Sequence, residues 1–212
     1  MTQARDMLGL LRPHQWIKNG FVLLPPFFAF KIADPQYILP LAAALAGFCL
    51  VSGAAYIHND IHDLEYDSRH PTKRFRPLAN GRVSVALARR VMAWACLAGL
   101  AAGALAGLKV FGVLVAYGVL NVLYSRSFKH VAVLDVCCIA AGFVLRVFAG
   151  AFAACVTASH WIVLMTFLLA MFLALAKRRF EAGLAVQGNA SRKCIDGYTV
   201  EFASAAMVLM AG

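Results

Sequence analysis

Charge is what this sequence has least of. Only 14% of its 212 residues are Asp, Glu, Lys or Arg, against roughly a quarter in an ordinary soluble domain, while 62% are hydrophobic. With a mean hydropathy of +0.73, the chain excludes water as its main solvent. Acidic residues are scarcest, 10 against 20 basic ones. Paired cysteines are also missing. Cys49, Cys96, Cys137, Cys138, Cys155 and Cys194 lie mostly in apolar runs and form no CxxC motif, which suggests neither a zinc site nor a disulfide framework. They read as small packing residues. The start lacks the pattern of a cleaved leader, because Met1 to Asn19 interleaves Arg5, Asp6, Arg12, His14 and Lys18 with short apolar runs, so the N-terminus is expected to stay.

What is present is a series of long apolar runs. A bilayer core about 30 Å thick needs roughly 20 residues of helix, and spans are expected near 18–32, 36–58, 84–107, 109–124, 131–154 and 157–176, with a seventh from about 198. The last run stops about a dozen residues in, so the chain is expected to be truncated at its C-terminus. All but three of the 20 basic residues fall in the N-terminus and alternate connections, the exceptions being Lys31, Lys109 and Arg146. That distribution argues against a nucleic-acid binder and predicts a cytoplasmic N-terminus by the positive-inside rule. Most acids share this side, among them Asp60, Asp63, Glu65, Asp67, Asp135, Glu181 and Asp196.

The segment Asn59-Asp60-Ile61-His62-Asp63-Leu64-Glu65-Tyr66-Asp67 stands out. If the second span continues as a helix through residue 67, about 100° per residue brings Asn59, Asp63 and Asp67 onto one face with Asp60 about 60° from Asp63. Like charges this close raise one another's pKa, and a cation relieves them. Oxygen donors without His or Cys at ligand spacing favour Mg²⁺ completed by substrate phosphates. The simpler alternative is a solvated acidic helix end paired with the next loop. That loop carries Lys73, Arg74 and Arg76 between Pro71 and Pro77, so its cations can fold back towards the carboxylates. His58 and His62 flank the acids without a third transition-metal ligand.

Further candidates sit at the same membrane face. Tyr124 and Lys129 read either as interface anchors or as substrate contacts. Asp135, inside the fifth span, needs a partner or a wet cavity. Arg146 lies eleven residues further on, about 20° around the helix and some 16 Å along it, so the two share a stripe with Gly142 without touching. Arg146 reads either as a buried donor to carbonyls or as a cavity residue. Lys177, Arg178 and Arg179 end the sixth span. Trp16 reads as a headgroup anchor, Lys18 lies within reach of a phosphate, and tandem Pro25-Pro26 breaks the first span. No inverted internal repeat of the transporter kind is visible.

Taken together these residues resemble the UbiA superfamily of intramembrane prenyltransferases, whose NDxxDxxxD signature is matched by Asn59, Asp60, Asp63 and Asp67. Arg12 to Asn19, Asn59 to Pro77, Tyr124 to Asp135, Gly142 to Arg146 and Tyr198 to Phe202 are more similar to its branch that moves phosphoribosyl groups onto polyprenyl phosphates. Typical members carry a second DxxxD pair, but here Asp135 is followed by Val136, Cys137, Cys138 and Ile139, a departure shared with that branch.

The resemblance implies an all-α, multi-pass transmembrane bundle forming a single unit over 1–212, with about six or seven of nine expected helices present. It implies a bacterial inner-membrane transferase of cell-envelope biosynthesis with its site on the cytoplasmic face. Mg²⁺ would be held by Asp60, Asp63 and Asp67, supported by Asn59. Phosphoribosyl diphosphate and a polyprenyl (decaprenyl) phosphate would be held by Lys18, Asn59, Lys73, Arg74, Arg76, Tyr124, Lys129, Asp135, Arg146, Lys177 and Arg178. The alternatives are prenyl transfer from an allylic diphosphate to an aromatic acceptor such as 4-hydroxybenzoate, and a non-enzymatic transporter or lipid-binding protein.

Overall fold

Each long apolar run becomes a helix, and the polar punctuation between runs sets its ends. The structure, a computed structural model, describes residues 2–186 and 197–211. Arg192, Lys193, Cys194 and Asp196 therefore lie outside the described residues. Helix α1 (Thr2–Leu11) precedes a 3₁₀ segment (Pro13–Leu23) and short α2 (Leu24–Phe28). Then come α3 (Pro35–His62), α4 (Leu64–Arg69), α5 (Val85–Ala106), α6 (Leu108–Arg126), α7 (Leu134–Ala153), α8 (His160–Val186) and α9 (Val200–Ala211), with 3₁₀ turns at Lys73–Phe75 and Phe128–His130. No strand occurs among the described residues.

Local chemistry accounts for several of these boundaries. The Asp34 carboxylate accepts from the Gln36 amide at 3.2 Å and Pro35 occupies the first turn of α3. The Ser84 hydroxyl accepts from the Leu87 amide at 3.2 Å and starts α5. Gly107, at φ 128°, is the whole connection between α5 and α6, a backbone conformation that a side chain would resist.

Among the described residues five helices, α3, α5, α6, α7 and α8, are long and apolar enough to cross a membrane. They match the second to sixth expected spans, and α9 begins close to the seventh. The first expected span differs. Residues 18–32 form no single α-helix; the crossing segment is 3₁₀ up to Leu23 and α only for five residues. Pro25 and Pro26 lack the N–H groups a longer helix needs. At about 2.0 Å rise per 3₁₀ residue and 1.5 Å per α residue, the two pieces still extend roughly 30 Å.

This thin segment packs directly on α7. A Cβ placed on Gly150 would lie 1.7 Å from the Val22 carbonyl oxygen, so backbone meets backbone there. Helices α3 and α5 approach in the same way. A Cβ on Gly47 would lie 3.0 Å from the Gly99 carbonyl, and the reverse distance is also 3.0 Å. Small residues at helix contacts are how bundles pack where lipid removes the hydrophobic drive between helices. Phe48, Leu114, Val110 and Val22 fill the space between α3, α6 and the first crossing. Trp94, Leu97, Leu105, Leu108 and Trp161 remain exposed on the outside, apolar surface suited to acyl chains.

The helix carrying the aspartates is also shorter than its sequence suggests. It ends at His62, and Asp63 (φ −95°, ψ 9°) joins it to α4. The ladder survives the bend, because Asp63 N donates to Asn59 O at 2.9 Å and Asp67 N to Asp63 O at 2.8 Å. The four groups therefore stay near one surface, at the end of the bundle where α3 finishes, α5 begins, α6 finishes and α7 begins.

Candidate active site

The carboxylates meet four cations from three separate stretches of chain. Nη2 of Arg12 lies 2.5 and 2.7 Å from the two oxygens of Asp60. Arg12 can reach because it breaks from α1 into the left-handed region (φ 51°) just before Pro13, which disfavours the right-handed helical conformation there. Its guanidinium also lies over the Tyr56 ring. Nη1 of Arg76 bridges two acids, 3.0 Å from Asp60 Oδ1 and in contact with Asp67 Oδ2. Lys73 Nζ is 3.7 Å from Asp67 Oδ1. From the α6–α7 connection, Lys129 Nζ stands 2.5 Å from Asp63, while Asn59 Nδ2 donates to the other Asp63 oxygen at 3.0 Å. Ser125 donates to Asn59 Oδ1 at 3.4 Å.

Asn59, Lys73 and Arg76 are thus brought together with the three acids, as their spacing suggested, and Lys129 joins them from the α6–α7 connection. Arg74 is not. It is exposed and lies over the Phe75 ring, turned to that neighbour rather than to a carboxylate. Sequence reasoning passes over Arg12 as a site residue, although it stands in the segment Arg12 to Asn19. Nothing local shows that a residue 48 positions from Asp60 will pair with it.

The donor set suits a hard cation. Asp67 is 1% exposed and its Oδ1 has no hydrogen-bond partner, an orphaned acceptor next to a single Lys73 charge. Asp60 and Asp67 already share one cationic group, in the way two carboxylates share a metal ion. The acids do not form a ready three-ligand cluster among the described residues, since Asp63 turns to Lys129 and Asn59. Asp60 and Asp67, with Arg76 displaced, are the pair best arranged for a divalent ion.

A second group of expected residues lies beside this cluster. Lys18, Tyr124 and Arg146 line a cavity of about 230 Å³ together with Tyr56, Tyr117 and Gly142. Arg146 is held in the bundle by Asn19 Oδ1 at 2.8 Å, the Gly142 carbonyl at 2.7 Å and the Tyr117 hydroxyl at 3.0 Å. Asn19 was not singled out, yet it is 1% exposed and also donates towards Cys49 and Ser52. An amide in an apolar crossing was the available signal, because such a group must find partners.

Asp135 and Arg178 do something other than face a substrate. Asp135 is completely buried, accepting from Arg178 Nε at 2.6 Å and from the Tyr198 hydroxyl at 2.5 Å. Arg178, 3% exposed, also pairs with Glu181 at 2.5 Å. The network ties α7, α8 and the segment before α9, and it explains why neither group is offered to a phosphate. Lys177 stays exposed, 4.0 Å from Glu181.

Comparison with known proteins adds three findings. The family model described as the UbiA prenyltransferase family matches residues 22–182. Decaprenyl-phosphate phosphoribosyltransferase from Corynebacterium glutamicum is 38% identical over 202 residues, covering 92% of this chain and 60% of the relative, and its counterpart from Mycolicibacterium smegmatis is 35% identical, covering 92% and 63%. The chain thus spans less than two thirds of these relatives. Among solved structures, a UbiA homolog from Archaeoglobus fulgidus bound to DMAPP and Mg²⁺ superposes with a TM-score of 0.80 at 21% identity, over 97% of this chain and 74% of that one.

Proposed function

Because the chain belongs to the UbiA prenyltransferase family, we propose that it transfers a 5-phosphoribosyl group from phosphoribosyl diphosphate to a polyprenyl phosphate, releasing diphosphate, at the cytoplasmic face of a bacterial cell membrane. The observation that carries this reading is the set of three carboxylates interleaved with Arg12, Lys73, Arg76 and Lys129 at one end of the bundle. The enzymatic names of the curated relatives support it. So does the burial of Asp135 within an ion pair, which keeps its carboxylate from meeting a diphosphate.

In this reading the bond from ribose C1 to the diphosphate oxygen breaks, the electron pair leaves with diphosphate, and an acceptor phosphate oxygen bonds to C1. Positive charge grows at C1 and negative charge on the leaving group. Lys73, Arg76 and Lys129 are tethered beside that leaving group and lower the barrier by stabilising charge that develops only in the transition state. The acceptor phosphate enters as an anion, so no side chain has to remove a proton from it. Asp60 and Asp67, with Asp63 and Asn59 near them, would hold a Mg²⁺ ion, which when bound supplies positive charge to the diphosphate oxygens. In its absence Arg12 and Arg76 keep the acids from repelling one another.

The test is direct. Purified full-length protein with Mg²⁺, radiolabelled phosphoribosyl diphosphate and polyprenyl phosphate should give a labelled lipid. Asp60→Ala and Asp67→Ala should cut the rate by about 10²-fold or more while the protein stays folded. Absence of labelled lipid, with product formed instead from a prenyl diphosphate and 4-hydroxybenzoate, would overturn this reading.

A further inference from the structure

Arg146 takes no part in the carboxylate cluster. Midway along α7 and 4% exposed, it bonds only neutral acceptors on Asn19, Gly142 and Tyr117. The rings of Phe48, Tyr117 and Phe143 surround it, with centroids 5.5, 4.8 and 5.3 Å from the guanidinium carbon. No carboxylate pairs with it among the described residues. A guanidinium carries five N–H groups, so these three acceptors leave two for a ligand. Lys18, which lines the same cavity, makes no hydrogen bond or ion pair among the described residues, and the cavity has no acidic lining residue. A buried cation without a counter-charge is costly in a membrane, and an anionic ligand removes that cost.

A second cavity indicates what the anion is attached to. Leu120 lines both the Arg146 cavity and an apolar groove of about 770 Å³ between α6, α7 and α8, bordered by Leu145, Phe148, Val163 and Phe167. We propose that the two together form the site for the lipid acceptor: a phosphate monoester on Arg146 and Lys18, and its isoprenoid tail in the α6–α8 groove. The donor's diphosphate is then held apart, at the aspartates. The identity of the lipid as an acceptor rests on the phosphoribosyl-transfer reading; binding of a prenyl phosphate does not.

Binding of farnesyl monophosphate to the full-length protein in nanodiscs, with no donor present, tests this, with farnesol and inorganic phosphate as comparison ligands. Farnesyl monophosphate is expected to bind well above both, and Arg146→Met to weaken it about 10- to 100-fold through loss of charge-assisted hydrogen bonds. Arg146→Lys should recover part of that loss. Leu120→Trp should weaken decaprenyl phosphate more than farnesyl monophosphate. If Arg146→Met does not fold, Lys18→Met carries the test, with a smaller loss of the same kind. Equal binding of farnesol, competition by inorganic phosphate at the same concentration, or unchanged affinity in the folded variants overturns the site. Prenyl phosphate binding that depends on Arg146, in a protein that transfers no phosphoribosyl group, would instead count against the catalytic reading alone.

Discussion

Replacing Asp135 separates a metal ligand from a structural anchor. Its carboxylate is fully buried between Arg178 and Tyr198. Removing one partner of a buried ion pair costs about 3–5 kcal/mol, because the other charge is left without compensation. Arg178 keeps Glu181 at 2.5 Å, so Asp135→Leu belongs at the lower end, about 3 kcal/mol. Asp135→Asn retains one carbonyl oxygen for Arg178 or Tyr198 and should cost about 2 kcal/mol. For a chain of this size each kcal/mol moves the melting temperature by about 2–4 °C, which gives a fall of roughly 6–12 °C for Leu and 4–8 °C for Asn. Melting in detergent, followed by tryptophan fluorescence with and without Mg²⁺, reads this out. The loss should be the same in both conditions. If Asp135→Leu melts within about 1 °C of the parent and the Mg²⁺ needed for half-maximal activity rises instead, Asp135 is a ligand and the structural assignment is wrong.

Two other substitutions probe the frame that positions the site. Gly150→Ala puts a methyl group 1.7 Å from the Val22 carbonyl, which must part α7 from the first crossing at a cost of about 3 kcal/mol. Gly118→Ala, with nothing within 4 Å of its Cβ, should be neutral or stabilising by up to about 1 kcal/mol, so equal melting of the two variants would refute the close approach. Val133 is β-branched yet holds φ 69°, its amide donating to the Tyr198 hydroxyl at 2.7 Å. Val133→Gly should therefore relieve about 1 kcal/mol of backbone strain and raise the melting temperature, and a fall would show that the valine side chain matters more than the backbone.

Much of the bundle was legible because membrane crossing imposes a length and a composition that any sequence must display. The ends of α3, α5, α6 and α7 fall within a few residues of the apolar runs 36–58, 84–107, 109–124 and 131–154. The first crossing was harder to read. Hydropathy reports how long a segment is apolar, while Pro25 and Pro26 decide the backbone it adopts. The aspartates were legible for a different reason, since acids at the end of an apolar helix need cations and the adjacent loop supplies two of the four found.

By itself, then, the sequence determined the apolar surroundings, the runs that become α3, α5, α6, α7 and α8, and the grouping of the acids at one end of the bundle, because hydrophobic runs and charge placement are local properties. Only the tertiary structure decided which cation meets which carboxylate. Arg12 reaches Asp60 across 48 residues and Lys129 reaches Asp63 across 66. It also separated two groups on one stripe of α7: Asp135 is neutralised by Arg178 and Tyr198, whereas Arg146 meets only neutral acceptors beside a cavity. Helical periodicity places both on that stripe, but the charge of whatever packs against each is set by distant chain.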